Sequence, residues 1–575
     1  MVQTLDEQTI ALPQTLIREV AKAQEAWRSK ENTRRLWGGD AALWTGADEN
    51  KWLGWLNSVD QSLRESASLR DFGRQLAAEK FTDVLLLGMG GSSLGSEVLA
   101  KCLETMPGYP KLHVLDSTDP GQVRRFEAAV APDRTLYIVS SKSGTTLETN
   151  VLMDYFFAKA SSAIGGGAGR HFVAITDPGS QLQKTAETRG FRRIFLGAPD
   201  IGGRYSVLSH FGMVPLAATG HDVGAFLQAA RVMVSACGPA RAPADNPGVA
   251  LGLAIGTLAL GGRDKLTIIA SPSIVAFGAW AEQLLAESTG KNGRGIIPVA
   301  GEPLGEPLAC GADRIFVYLR DAAHPNPEQD NAASAIARDG QPLIRIDLPS
   351  PAGLAQEFFR FEMATAVAGA ILGINPFDQP DVEASKIAAR QMTDAFERTG
   401  SLPAQPPVFE AGEVALFTDA HNAAALRKAG ADGTLASWLK AHFARLKEGD
   451  YFALLAYIDA DDARLQTLQG LRVAVRRRKQ VATCLQFGPR FLHSTGQAYK
   501  GGPNTGVFLQ ITANPAPDLA IPGRTASFGV IETAQARGDF HVLAERGRRV
   551  LHAHIAQDLD IGLAAIAKAA RLALA

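Results

Sequence analysis

The segment SSKSGTTLET, residues 140–149, crowds Ser141, Ser143, Thr145 and Thr146 around one lysine, Lys142, between an apolar run and a stretch of helical spacing. A phosphate monoester presents several acceptor oxygens and up to a double negative charge, so hydroxyls, helix-start amides and a lysine are the groups that satisfy it. Thr145 followed at the third position by Glu148 also reads as a capping box, which explains one hydroxyl and one acid without any ligand. That alternative leaves Ser141, Lys142, Ser143 and Thr146 unexplained. A second loop, GMGGSSLGSE from Gly88 to Glu97, follows another apolar run and sets glycines, Gly91 among them, and Ser92 before a helix, a pattern that brings backbone amides close to an anion. A dinucleotide loop competes for the same residues, with Asp116 as its ribose-binding acid; the spacing is GxGGxxxG, however, because Ser93 occupies the third glycine position of GxGxxG. A turn without a ligand is the remaining alternative. We favour a phosphate site closed by both loops.

A phosphate grip holds a substrate without transforming it. Transformation needs a base, an acid and a group that stabilises developing charge. In AEQLLAESTGKNGRG, residues 281–295, Glu287 falls in the last turn of a helix that Gly290 would end. The negative end of the helix dipole disfavours the charged form of a carboxylate there, which suits a base working near neutral pH. Alone, a glutamate near a helix end is ordinary surface decoration. GGRYSVLSHFG, residues 202–212, places Arg204 after two glycines, either aimed into a cleft or held in a plain salt bridge. NPFDQPDVEASK, residues 375–386, offers Gln379 at a turn and Lys386 on the following helix, and FLHSTGQAYKGGPNTG, residues 491–506, sets His493 beside a glycine-rich loop. Most histidines in such places are merely packed. The HAH at 552–554 is the only metal-like pairing, and it reads as strand alternation.

These residues have to be positioned by regular elements. Strand-length apolar runs at 83–88, 112–116, 136–140 and 171–176 alternate with longer helix-spaced segments, the grammar of a parallel sheet covered on both faces. The pattern restarts with KLTIIAS (265–271), a helix at 275–289, strands at 314–320 and 343–348, and a helix at 356–372. After a proline-rich linker at 401–413 come strands at 451–458, 482–487 and 506–512 and a closing alanine-rich helix. The expected fold class is therefore α/β, with two doubly wound parallel-sheet units and a C-terminal α/β unit. The boundaries are an N-terminal helical segment at 1–66, a first unit at 67–222, a second at 223–400 and a third at 414–575. Trp37, Trp44, Trp52 and Trp55 are expected to pack the N-terminal segment onto the next unit.

Bulk composition sets limits on partners. The 575 residues, 46% hydrophobic and 20% charged, exceed what one core can use. A formal net charge of -1 argues against a nucleic-acid or anionic-membrane binder. The one dense basic run, RVAVRRRKQV at 472–481, reads as a solvated face. Cys102, Cys237, Cys310 and Cys484 lie far apart with no CxxC pair, so no disulfide framework or zinc knuckle is signalled, in keeping with a reducing cytoplasm. The N-terminal stretch carries early acids and does not read as a secretory signal. GVALGLAIGTLALGG, 248–262, is glycine-rich and shorter than the roughly 20 residues a membrane helix needs, so it reads as a buried core helix.

GMGGSSLG, SKSGTTLET, GGRYSVLS, AESTGKNGRG, NPFDQPDVEASK and LHSTGQ resemble the signature segments of the glucose-6-phosphate isomerase family, whose members carry two sugar isomerase domains. The first five stand in the family's usual order across residues 80–390, and the chain is most similar to the isomerase portion found fused to transaldolase in some bacterial proteins. The resemblance implies that Gly91, Ser92, Ser141, Lys142, Ser143, Thr145 and Thr146 hold a sugar phosphate. It implies Glu287 as the base moving a proton between C2 and C1 through a cis-enediol, with Arg204 stabilising the intermediate's oxyanion. Lys386 and His493 would open the pyranose ring and Gln379 would line the pocket. No metal or organic cofactor is implied, the partner is a small sugar phosphate, and a cytoplasmic homodimer is expected. One departure stands out: LHSTGQ follows the glutamate and lysine segments, whereas in related enzymes the histidine segment falls between them and commonly enters from a neighbouring subunit. Either the C-terminal unit delivers His493 by a rearranged connection, or ring opening relies on Lys386. A non-catalytic sugar-phosphate regulator is the other class of function, since it would keep both phosphate loops without needing Glu287, Arg204 and Lys386 together.

Overall fold

A computed structural model describes residues 5–304, 310–514 and 517–575. Three sheets carry the chain, and its first strand, β1 (Glu7–Ala11), belongs to the second of them. The first sheet is wholly parallel and consists of β2 (Asp83–Gly88), β3 (Lys111–Leu115), β4 (Thr135–Ser140), β5 (Phe172–Thr176) and β6 (Arg193–Leu196), in the order β3-β2-β4-β5-β6. β2, β4 and β5 are apolar and almost wholly buried, as a parallel sheet clad by helices on both faces requires. The chain order reverses between β2 and β4, whose last residues, Gly88 and Ser140, are paired. Loops leaving the carboxyl ends of strands at such a reversal open a crevice for a ligand. Both loops singled out above start there.

The second sheet repeats the plan with β7 (Lys265–Ala270), β8 (Ile297–Ala300), β9 (Arg314–Asp321) and β10 (Leu343–Leu348), in the parallel order β10-β9-β7-β8. β1 closes its edge by pairing antiparallel with β10. This strand opens the N-terminal segment expected to be helical, 1–66, of which residues 1–4 lie outside the described residues. EQTIA alternates between exposed and part-buried side chains, the two-residue period of an edge strand, and the first helix, Gln14–Ser29, starts after Pro13. Trp37 and Trp44 donate their indole N–H to the carbonyls of Cys237 and Ala366, and Trp55 packs at a tilt against Tyr205 and Phe359. The Pro247–Leu260 helix is buried as expected, and among the described residues no helix is long and apolar enough to cross a membrane.

The N-terminal strand is anchored by a buried carboxyl. Asp6 lies 2% exposed, with its amide donating to Gln356 and its carbonyl accepting from Arg360, and Glu357 faces it. Burial, followed by the charge of Glu357, pushes the Asp6 carboxyl up from 3.8 to about 8, against the pull of Arg360. A raised folded-state value means the docked strand holds an extra proton, so docking is tightest below pH 4 and weakens as the pH climbs through about 8. Hydrogen exchange of the β1 amides, corrected for intrinsic rates, should therefore quicken by up to about tenfold per pH unit between pH 6 and 8. Asp6→Asn should remove the slope; an unchanged slope in that variant would rule Asp6 out as its source.

The third sheet contains β11 (Phe409–Ala411), β12 (Val414–Phe417), β13 (Tyr451–Tyr457), β14 (Ala482–Phe487), β15 (Gly506–Ala513) and β16 (Arg549–Ile555). Four of its strands are parallel in the order β16-β15-β13-β14, and the β11–β12 hairpin adds antiparallel to β16. The linker expected at 401–413 therefore ends in a strand. The basic run at 472–481 is not a simple solvated face. Its helix, Asp462–Lys479, buries Arg472 and Arg476, which donate to the carbonyls of Ala300 and Pro303 at the end of β8. A planar guanidinium can satisfy exposed strand-end carbonyls and stay charged while buried, and Glu302, close to both arginines, balances that charge. The molecule is thus an α/β protein of two doubly wound parallel-sheet units followed by a third α/β unit docked on both.

Candidate active site

All three units contribute to a cavity of about 360 Å³. Gly91, Ser92, Lys142, Ser143, Thr146, Arg204, Glu287, Gln379, Lys386 and His493 line it, together with Trp52, Asp177 and Gln283. Ser141 and Thr145 do not. Ser141 is buried inside its own loop, where its hydroxyl donates to Thr146 and accepts from the Gly144 amide, and Thr145 meets the Ser143 hydroxyl at 3.0 Å.

The glycine-rich loop is shaped by close approach. Gly90 has φ +56°, and a Cβ there would lie 2.8 Å from the His493 carbonyl oxygen. At Gly91 a Cβ would lie 2.1 Å from the carbonyl of Gly203, one residue before Arg204. Only glycine lets the glycine-rich loop, the His493 loop and the Arg204 loop meet. Asp116, the candidate ribose acid, instead accepts from Ser93 and pairs with Arg490 at 2.8 Å, so the dinucleotide reading loses its key residue.

The capping box does not form. The Leu147–Ile164 helix has Thr146 at its N-cap, with no side-chain capping bond. Glu148 turns away to accept from Gln535 at 2.6 Å, and its Oε1 meets His493 Nε2 at 2.8 Å. Burial alone would raise this carboxyl, but the His493 charge and hydrogen bond outweigh it and hold the acid below its ordinary value. Lys142 is also engaged, pairing with Asp177 and approaching the Ala198 carbonyl at 3.3 Å.

Glu287 stands in the last turn of the Phe277–Thr289 helix, which Gly290 ends. Arg204 Nη1 lies 3.2 Å from its Oε1, which offsets the negative helix end, and Gln283 Nε2 donates to its Oε2 at 3.1 Å. The same Gln283 nitrogen donates to the His493 carbonyl at 2.7 Å, tying Glu287 and the His493 loop together. Arg204 is 2% exposed and far from a plain salt bridge, since it also donates to Ser288, the Gln379 side chain and the carbonyls of Pro376 and Asp378. Lys386 is partly open, its side chain 38% exposed, and Glu383 lies 4.0 Å from its ammonium.

A family model described as phosphoglucose isomerase matches residues 48–295, which include both loops, Arg204 and Glu287. A glucose-6-phosphate isomerase of Thermosynechococcus vestitus is 30% identical over 422 residues, spanning 63% of this chain and 78% of that protein. The chain belongs to the glucose-6-phosphate isomerase family. A relative of the same name from Rubrobacter xylanophilus is 29% identical over 363 residues, 55% of this chain and 83% of its own. The crystal structure of a glucose-6-phosphate isomerase from Chlamydia trachomatis shares the fold, with a TM-score of 0.55 at 20% identity, covering 66% of this chain and 86% of that one. A Thermus thermophilus hypothetical protein gives 0.54 at 27% identity, covering 67% of this chain and 99% of its own.

Within this family member, several site residues escaped the sequence reading. Gln283 was legible in principle, one helical turn before Glu287 on the same face. Glu148 fits a capping box by spacing, and only the fold pairs it with His493 and Gln535. Lys291 pairs with Asp378 at 2.7 Å and donates to the Asn375 carbonyl; burial, with Arg204 nearby, lowers it from 10.5 to about 7. Because the Glu148 carboxylate holds the His493 imidazole in place at 2.8 Å, Glu148→Gln should lower kcat on the order of 10- to 100-fold with KM changed little. A coupled assay checks this, and a loss under about threefold would dismiss the pairing as incidental.

Proposed function

We propose that this chain interconverts glucose 6-phosphate and fructose 6-phosphate, with the ester held by the two loops of the first unit. Ser92, Ser143, Thr146 and the loop amides donate to the phosphate oxygens, Lys142 adds charge, and Gly91 permits the approach; Ser141 and Thr145 hold the hydroxyl loop in shape. His493 and Lys386 open the pyranose, one proton leaving the C1 hydroxyl and one reaching the ring oxygen as the ring C–O bond breaks. Glu287 then takes the proton from C2, the electron pair forms the C1=C2 double bond and the C1 carbonyl oxygen takes up the charge; the proton of the C2 hydroxyl passes to that oxygen through the cis-enediol, and as the C2 carbonyl forms the same carboxyl returns its proton to C1. Arg204 stabilises the enediolate oxygen, a contribution on the order of 3–4 kcal/mol for a well-placed donor. Gln379 lines the pocket.

The observation that carries this reading is the Glu287–Arg204 contact of 3.2 Å on the cavity wall shared with Lys142 and Ser92. A binding-only regulator would have no use for a carboxylate so placed. A coupled assay for glucose 6-phosphate formed from fructose 6-phosphate tests it, and absence of turnover with intact sugar-phosphate binding would overturn it. A homodimer in the cytoplasm completes the reading, the first checked by sedimentation and the second by fractionation of the source cells.

A further inference from the structure

The helix Pro380–Thr399 starts without a capping side chain of its own, because the side chain of its N-cap residue, Gln379, accepts from Arg204 in the cavity. Its first amides need another acceptor, since buried helix-start N–H groups are costly to leave bare. That acceptor comes from the third unit. Gln497, wholly buried four residues after His493, takes the amides of Asp381 and Val382 on its Oε1 at 2.9 and 3.2 Å. Its Nε2 donates to the Gly290 carbonyl at 2.9 Å, at the end of the Glu287 helix, and to the Asp381 carboxylate at 2.8 Å. Both donors and both acceptor positions of one amide are filled. A Cβ at Gly290 would lie 2.2 Å from the Ala498 backbone, and the Gly293 amide donates to Gly501, so this short segment is wedged between the two helix ends.

We propose that Gln497 is the positioning residue of the isomerisation, setting the Glu287 helix end, the Gln379–Lys386 helix start and the His493 loop at one spacing. It does not line the cavity. The proposal rests on the functional reading above, and it frees Gln379 to face the cavity by supplying the cap that Gln379 does not.

Two variants test it in the full chain, beside wild-type turnover as the control for the functional reading itself. Gln497→Met keeps the bulk and removes all four hydrogen bonds. Its kcat should fall about 10- to 100-fold, the scale of a misplacement near 1 Å, with KM for fructose 6-phosphate within about twofold because the phosphate loops do not touch it. Gln497→Glu brings a pH signature. The charged groups around the site are Asp381 with its partner Arg546, Lys291 next to Gly290, and beyond them Lys500, Asp539 and Arg548; Lys291 titrates in the wild type as well, so the ratio to wild type cancels it. Ionised, a glutamate there faces the Asp381 carboxylate and the Gly290 carbonyl with no donor; protonated, its O–H restores one donor and its C=O the cap. Relative kcat of Gln497→Glu against wild type should therefore rise as the pH falls from 8 to 6. Wild-type kcat in Gln497→Met, or a Gln497→Glu profile parallel to wild type, would overturn the proposal. So would a loss matched by an equal loss of folded, sugar-phosphate-binding protein in both variants, since Gln497 would then support the fold alone.

Discussion

Glu287→Gln will reduce turnover by about 10²–10⁴-fold while fructose 6-phosphate still binds. The amide is close to isosteric, and its oxygen can still accept from Gln283 or Arg204, so the packing around a buried helix end is kept. Arg204 is not stranded either, because it keeps Ser288, Gln379 and two backbone carbonyls as acceptors. What disappears is the basic lone pair that takes the C2 proton. The same variant should stop exchange of the C2 hydrogen with solvent, whereas loss of a ring-opening residue would spare exchange in substrate that is already open-chain. Coupled turnover, calorimetric binding and exchange by NMR together decide the matter. Retention of more than about a tenth of wild-type kcat would remove Glu287 as the base.

A one-to-one mixture of Glu287→Gln and His493→Ala chains, refolded together, will show no more activity than the two variants separately. In the structure His493 reaches the cavity from its own chain and meets Glu148 of that chain at 2.8 Å. Its loop is anchored by Arg490, which pairs with Glu97 at 2.7 Å and Asp116 at 2.8 Å in the first unit. Paired charges at this depth are costly to break, and the loop is not free to swing to a neighbour. If the histidine instead came from a partner subunit, random dimers would rebuild about a quarter of the sites, because half would be mixed and each would hold one complete set. Recovery near that level would place His493 in trans. The mixture thus separates dimerisation, which our functional reading includes, from any need of the dimer for catalysis.

Much of this protein is written in short stretches of its chain. Strand, glycines, small hydroxyls and helix follow one another within a dozen residues at Gly88 and at Ser140, and near-neighbour chemistry suffices to recognise them; the same holds for the buried run of Pro247–Leu260 and the helix end at Glu287. Sequence spacing also placed Arg204, Gln379, Lys386 and His493 among candidates without saying that they share one wall. What only the tertiary structure decided are partnerships that span the chain. Glu148 fits a capping box by spacing, yet it serves a histidine 345 residues away. Lys142 is paired with Asp177, Arg472 is buried against β8, β1 joins a sheet whose other strands begin at Lys265, and Gln497 caps a helix that starts 117 residues earlier, at Pro380. Local patterns survive in sequence because backbone geometry dictates them residue by residue. A buried polar group takes whichever partner the packed units bring within 3 Å, and that choice has no period and no fixed spacing.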